Sequence, residues 1–256
     1  MAGEGPIVAG VHPVVEALRT RPDAAEALLY TRPPGRGPMR RIAALAKRAR
    51  VPMRRVDRST LDAMAGTPGH QGVVLRLKPG AAALPAVTDP LDLVASAQEA
   101  ARDPLLLLLD RVQDPRNLGA IVRSAYYLGA DGVVVPRDRA AAMSEAAVKA
   151  SAGTAFHLPV VTVTNLGRSL DRLREAGLWL AAADPEGAEA ADQVDLTGPL
   201  ALVVGGEGSG IRPGIRQRCD LLVRIPMGGR PGSLNAAVAA SILLWEVRRQ
   251  RRAVDG

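Results

Sequence analysis

From residue 105 to residue 227 the chain passes through six short apolar stretches, LLLLL (105–109), GVVVP (132–136), LPVVTV (158–163), LWLAAA (178–183), LALVVGG (200–206) and LLVRIPM (221–227). A strand that is apolar at nearly every position, rather than at every second one, has to be buried on both faces. Stretches with helical patterning separate the runs, so the expected class is α/β, a parallel sheet covered by helices. The first unit reads as strand, tight turn, helix and second strand. Its turn is DRVQDPRNLG, with Asp114, Pro115, Arg116 and Asn117 where a dinucleotide-binding fold would place G-x-G-x-x-G for the approach of pyrophosphate.

The first 77 residues read differently, as a small α/β domain. Helical patterns at 12–20, 39–49 and 59–66 alternate with strand patterns at 26–31, 51–56 and 71–77. In the second helix Ile42, Leu45, Ala46 and Ala49 fall on one face, which leaves Arg40, Arg41, Lys47 and Arg48 largely outside it. Residues 78–90, KPGAAALPAVTDP, are rich in Pro, Ala and Gly and read as a linker. Residues 91–256 would then form the second domain.

The net charge of +7 is unevenly spread. Residues 1–80 hold 14 basic and 6 acidic side chains, whereas 81–256 hold 19 and 20. Within 32–58, ten basic residues stand against one acid, and Arg40, Arg41, Lys47, Arg48, Arg54 and Arg55 are the candidates for contact with a phosphate backbone. A solvated basic face is the plainer alternative. Aromatic residues make up 2% of the chain, so phosphate and shape contacts rather than base stacking should govern recognition.

Other classes are disfavoured. Cys219 stands alone, so no internal disulfide is expected, and His12, His70 and His157 are too scattered to suggest a metal site. No apolar run reaches membrane-spanning length, and the first residues lack the basic and apolar regions of a secretory signal, which points to the cytoplasm.

Three loops follow strands and can share one site, because ligands of open α/β sheets gather outside the carboxyl ends of strands. They are DRVQDPRNLG, GGEGSGI (205–211) and IPMGGRPGSLN (225–235). Each alone reads as an ordinary turn. Asn117 is expected to cap the helix of the first loop and Ser233 the last helix, SLNAAVAASILLWEVRRQRR. That helix is apolar around most of its circumference, which suits deep burial or packing against another subunit.

Taken together and in this order, the three loops resemble the SpoU (TrmH) family of RNA ribose 2′-O-methyltransferases over about residues 104–250. The segments GVHPVVEAL (10–18) and GHQGVV (69–74) are similar to the small RNA-binding domain of RlmB-type members, which modify a guanosine of large-subunit ribosomal RNA. The resemblance implies S-adenosylmethionine as methyl donor, a deep trefoil knot in the C-terminal part of the sheet and a homodimer. Carried onto this chain, it implies cofactor contacts at Gly205, Ile225, Pro226, Met227 and Leu234. It implies catalytic positions at Asn117, Arg123, Glu207, Ser233 and Asn235. Arg123 is expected to be held by Asn117 and Glu207 and to stabilise developing negative charge. Glycines at 205, 206, 208, 228, 229 and 232 would let main chain approach the cofactor. Two other readings remain, a catalytically silent RNA-binding protein of the same fold and a nicotinamide-dependent oxidoreductase. The missing glycine fingerprint argues against the latter.

Overall fold

The computed structural model describes residues 5–33, 37–65, 68–79, 87–208, 210–228 and 232–254. The N-terminal part contains β1 (Ile7–Ala9), α1 (Val11–Thr20), β2 (Ala25–Tyr30), α2 (Pro38–Arg48), β3 (Met53–Arg55), α3 (Arg58–Ala65) and β4 (Val73–Leu77). These form a four-stranded sheet in the order β1-β4-β2-β3, with β3 on an edge and parallel to β2. Each expected helix and strand is present to within a few residues. Strand β1, only three residues long, is an addition. Ile42 and Ala46 of α2 are buried, and Leu45 and Ala49 pack against the same core.

The second part contains α4 (Pro90–Glu99), β5 (Leu105–Asp110), α5 (Pro115–Leu128), β6 (Gly132–Pro136), α6 (Glu145–Ala150), β7 (Val160–Val163), α7 (Leu166–Glu175), β8 (Trp179–Ala183), β9 (Glu189–Ala190), β10 (Leu200–Gly205), α8 (Pro213–Arg216), β11 (Leu221–Arg224) and α9 (Ala236–Val254). Seven strands form one sheet in the order β7-β6-β5-β10-β8-β11-β9, and every pairing in it is parallel. Strand β5 shows why a continuous apolar run was needed. Leu105, Leu107 and Leu109 face one core with α5 and α9, whereas Leu106 and Leu108 face the other with α4 and α7.

Of the expected linker, residues 80–86 lie outside the described residues. The last part of it belongs to ordered structure. Val87 packs against the core, and Asp89 caps α4 by accepting from the Leu91 N–H at 3.1 Å. Asp89 also receives both terminal nitrogens of Arg172 on α7, and that contact holds its carboxyl below the ordinary carboxylate range.

The two sheets are joined by direct packing as well. Phe156, in the short turn Thr154–Phe156 after α6, is buried in the core of the N-terminal part. His157 Nε2 lies 3.0 Å from Glu16 Oε2 on α1, and the His157 ring packs on Tyr126 of α5. Gly153 has φ 91°, and a Cβ there would come within 3.2 Å of the Pro13 Cα, so a glycine permits both the turn and the close approach of α1.

Candidate active site

The sheet order dictates where the three loops go. Strands β5 and β10 are parallel neighbours with Asp110 opposite Gly205, so the turn after β5 and the loop after β10 leave the same sheet edge side by side. Strand β11 ends at Arg224, two strands away from β10, and the segment after it returns to enter α9. All three loops therefore meet at one carboxyl-terminal edge.

Their meeting point is a hydrogen-bonded cluster. Asn117 Nδ2 donates to Glu207 Oε1 at 2.6 Å, Asn235 Nδ2 donates to the same oxygen, and Asn235 Nδ2 also lies 3.2 Å from Asn117 Oδ1. The other side of Asn235 is occupied too. Its Oδ1 accepts from the N–H groups of Ala237 at 2.9 Å and Val238 at 3.4 Å, the first free donors of α9.

Two expected caps are thereby corrected. Asn235, not Ser233, caps α9, because only Asn235 places an acceptor over the first turn. Ser233 is exposed and lines the cavity described below. Asn117 lies inside the first turn of α5, which is capped by Asp114 through a 2.8 Å bond from the Arg116 N–H, with Pro115 at the first helical position. Once both Asn117 and Arg123 are helical, they are about 240° apart around the axis. Arg123 is exposed and makes no hydrogen bond or ion pair among the described residues. The expectation that Asn117 and Glu207 hold it is not met, since both are engaged with Asn235.

A buried ion pair that the sequence reading passed over braces the second loop. Asp110, the last residue of β5, is fully buried. Its carboxylate accepts from the Arg212 N–H, from Nε at 2.8 Å and from a terminal nitrogen at 2.7 Å. The Asp110 carbonyl accepts from the Gly206 N–H at 2.8 Å. Both ends of the loop carrying Glu207 are thus fastened to one residue. The signal for it was an acid directly following five leucines, where only a paired carboxylate could remain.

Beside the cluster lies a cavity of about 350 Å³, within the range of about 300–1,000 Å³ usual for small-molecule sites. Its apolar wall comes from Val204, Val223, Ile225, Leu234, Ala236 and Ala239, and Gly205, Glu207, Met227 and Ser233 are among the other residues that line it, with the acids Asp184 and Glu186. Of the expected cofactor positions, Gly205, Ile225, Met227 and Leu234 line it, while Pro226 does not. Gly229 lies outside the described residues. The glycine main chain forms part of the wall for steric reasons. A Cβ on Gly205 would fall 2.3 Å from the Gly210 carbonyl carbon, and one on Gly206 would fall 2.1 Å from the Arg111 carbonyl oxygen.

The expected RNA contacts sit elsewhere. Arg40, Arg41, Lys47 and Arg48 are exposed on α2, and Arg54 and Arg55 are exposed on the edge strand β3. Lys47 lines an open groove with Arg50 and Met53 between those elements. Cys219 offers no nucleophile, because burial pushes its thiol up to about 12.

A family model described as the SpoU rRNA Methylase family matches residues 104–245, and one described as RNA 2′-O ribose methyltransferase substrate binding matches residues 7–81. The 23S rRNA (guanosine-2′-O-)-methyltransferase RlmB of Xanthomonas campestris pv. campestris is 40% identical over 251 residues, covering 98% of this chain and 99% of that one. The putative TrmH family tRNA/rRNA methyltransferase YacO of Bacillus subtilis is 41% identical over 219 residues, 86% of each chain. The SpoU methyltransferase AviRb from Streptomyces viridochromogenes, solved in complex with the cofactor AdoMet, superposes with a TM-score of 0.76 at 32% identity, covering 96% of this chain and 90% of that one. The chain belongs to the SpoU rRNA methylase family and is an S-adenosylmethionine-dependent RNA methyltransferase.

Gly205→Ala tests the cavity. The added methyl group meets main chain on the far side of its own loop, so the loop must move. We expect S-adenosylmethionine affinity to fall by at least about tenfold, or about 1.4 kcal/mol, in a calorimetric titration, while the protein remains folded by circular dichroism.

Proposed function

We propose that this protein transfers a methyl group from S-adenosylmethionine to the ribose 2′-hydroxyl of a guanosine in 23S ribosomal RNA, in the cytoplasm. The observation that carries the reading is the convergence of Asn117, Glu207 and Asn235 on the rim of a glycine-walled cavity. The 40% identity to an RlmB over nearly the whole of both chains supports the choice of RNA. In this reading residues 1–77 grip structured RNA, 78–90 connect, and 91–256 carry the chemistry.

The residues present suit the cofactor. Backbone at Gly205 and at Ile225 and Met227, with the Leu234 side chain, would hold its adenine and methionine ends, since the apolar wall and bare main chain accept flat and aliphatic groups without demanding phosphate. When bound, S-adenosylmethionine supplies an electrophilic sulfonium methyl group. The chain has to position the ribose oxygen and take up its proton. Glu207 Oε1 is saturated by two amide donors, whereas Oε2 has no hydrogen bond among the described residues and is the proton acceptor that the site offers. Ser233, exposed at the cavity mouth, would position the ribose. Asn235 orients Glu207 while fastening it to α9.

Arg123 is left free for the RNA. It lies about 9 Å along α5 from Asn117, and its unpaired guanidinium can meet a phosphate or the developing oxyanion. A guanidinium stays protonated at neutral pH, so the role is electrostatic rather than that of a base.

The C-terminal part would be knotted, as in the family, and the protein a homodimer. Supporting the dimer, Val238, Ile242 and Trp245 stand at helical spacing on α9 and are all exposed, with Trp245 at 52%.

Methyl transfer to 23S rRNA, mapped as ribose methylation at single-nucleotide resolution, tests the function. Wild-type protein should place one modification on a guanosine. Arg123→Ala should be at least about 100-fold slower, as for loss of one oxyanion donor, with cofactor affinity unchanged. Transfer to no RNA, or near-normal transfer by the variant, would contradict the reading. Trp245→Glu should convert a dimer into a monomer in sedimentation experiments, and an unchanged mass would exclude α9 as the interface.

A further inference from the structure

Several arginines of the second part are tied up. Arg102, Arg172, Arg174, Arg212, Arg216 and Arg218 each pair with an aspartate. Arg123, Arg168, Arg224, Arg248 and Arg252 make no ion pair among the described residues and stand on α5, α7, β11 and α9, whereas four more without one, Arg111, Arg116, Arg137 and Arg139, lie in the segments that follow β5 and β6. Strands β5 and β6 are parallel neighbours with Leu108 opposite Val134, so Arg111 and Arg137 leave the sheet side by side. Neighbouring strands lie about 4.8 Å apart, so the two cationic side chains start from adjacent backbone.

The loop after β6 is folded onto this edge. The Ala141 N–H donates to the Val112 carbonyl at 2.8 Å, bringing residues 137–141 against the turn that leads to Asn117. Arg111 and Arg139 both hold left-handed backbone, with φ 64° and 56°, an unfavourable state for side chains of this kind. The Arg111 Nε is buried and has no hydrogen-bond partner among the described residues. Arg116, Arg137 and Arg139 are exposed. Two acids stand among them, and of these Asp114 is spent on the α5 cap while Asp138 is exposed.

We propose that this ledge, over the ends of β5 and β6, is a second phosphate-binding surface that holds the RNA strand flanking the target nucleotide. The cavity occupies the other half of the same edge, over β10, β8 and β11, with Glu207 on the boundary. On its far side the ledge runs into α6, against which β1 of the N-terminal part is packed. The ledge thus lies between the cluster and the N-terminal part, whose Arg54 and Arg55 stand on the opposite edge strand, β3. The inference rests on the reading of the protein as an RNA methyltransferase and adds where the substrate backbone lies.

The test uses the full chain with Arg137→Gln and Arg139→Asn together, asparagine being tolerant of the left-handed backbone at 139. The probe is a transcribed 23S rRNA fragment selected by its binding to wild-type protein. Affinity for it should fall about tenfold at 0.1 M salt, and the slope of log affinity against log salt should become shallower by about 1.4, as for two lost contacts to single-stranded phosphates. S-adenosylmethionine affinity should stay within about twofold of wild type. Unchanged RNA affinity and slope would overturn the proposal, and so would a parallel loss of cofactor affinity, which would make the two arginines part of the cavity's support. If wild-type protein bound the fragment through these arginines but methylated no RNA, the functional reading would fail and the ledge would stand.

Discussion

One carboxylate oxygen, Glu207 Oε1, gathers three segments that are far apart in the chain. Asn117 is 90 residues from Glu207, and Asn235 is 28 from it. Hydrogen bonds to a charged group contribute about 1.5–3 kcal/mol each, less where water competes. Alone they could not offset the entropy of closing such loops and ordering their residues. The sheet does that work. With β5 and β10 paired in register, the turns that follow them are neighbours before any side chain acts, and the cluster selects one arrangement among those that the sheet allows.

Holding that arrangement requires the second loop to be stiff and narrow. Asp110 supplies the stiffness by binding the Gly206 N–H through its backbone and Arg212 through its side chain, which fixes the loop at both ends. Glycine supplies the narrowness, because side chains at 205 or 206 would collide with main chain. The cavity wall and the Glu207 carboxylate therefore belong to the same short loop. Charge is divided along the edge in a matching way, with the cavity over β10, β8 and β11 and, over β5 and β6, arginines that make no ion pair among the described residues.

Much of the architecture was legible in the sequence because burial on both faces leaves a strong mark. The runs at 105–109 and 132–136 are almost the observed β5 and β6, and the common edge of the three loops followed from parallel topology. Strands β1 and β9, of three and two residues, carry too little pattern to be seen. Both misplaced caps arose from competing polar residues close together. At α5 the Asp-Pro pair favoured Asp114, and at α9 either Ser233 or Asn235 satisfied the same rule. Asp110 went unnoticed because its partner Arg212 lies 102 residues away. Arg123 was recognisable only by family resemblance, and helix geometry alone shows that it cannot share the face of Asn117.

The central claim is that Asn117 and Glu207 act as one unit. A double-mutant cycle on the methyl-transfer rate, using Asn117→Ala, Glu207→Ala and the pair, measures it directly. If Asn117 works by orienting Glu207, the double variant should be no slower than Glu207→Ala alone. Losses that simply multiply would mean that the two side chains act separately, and the account would be wrong.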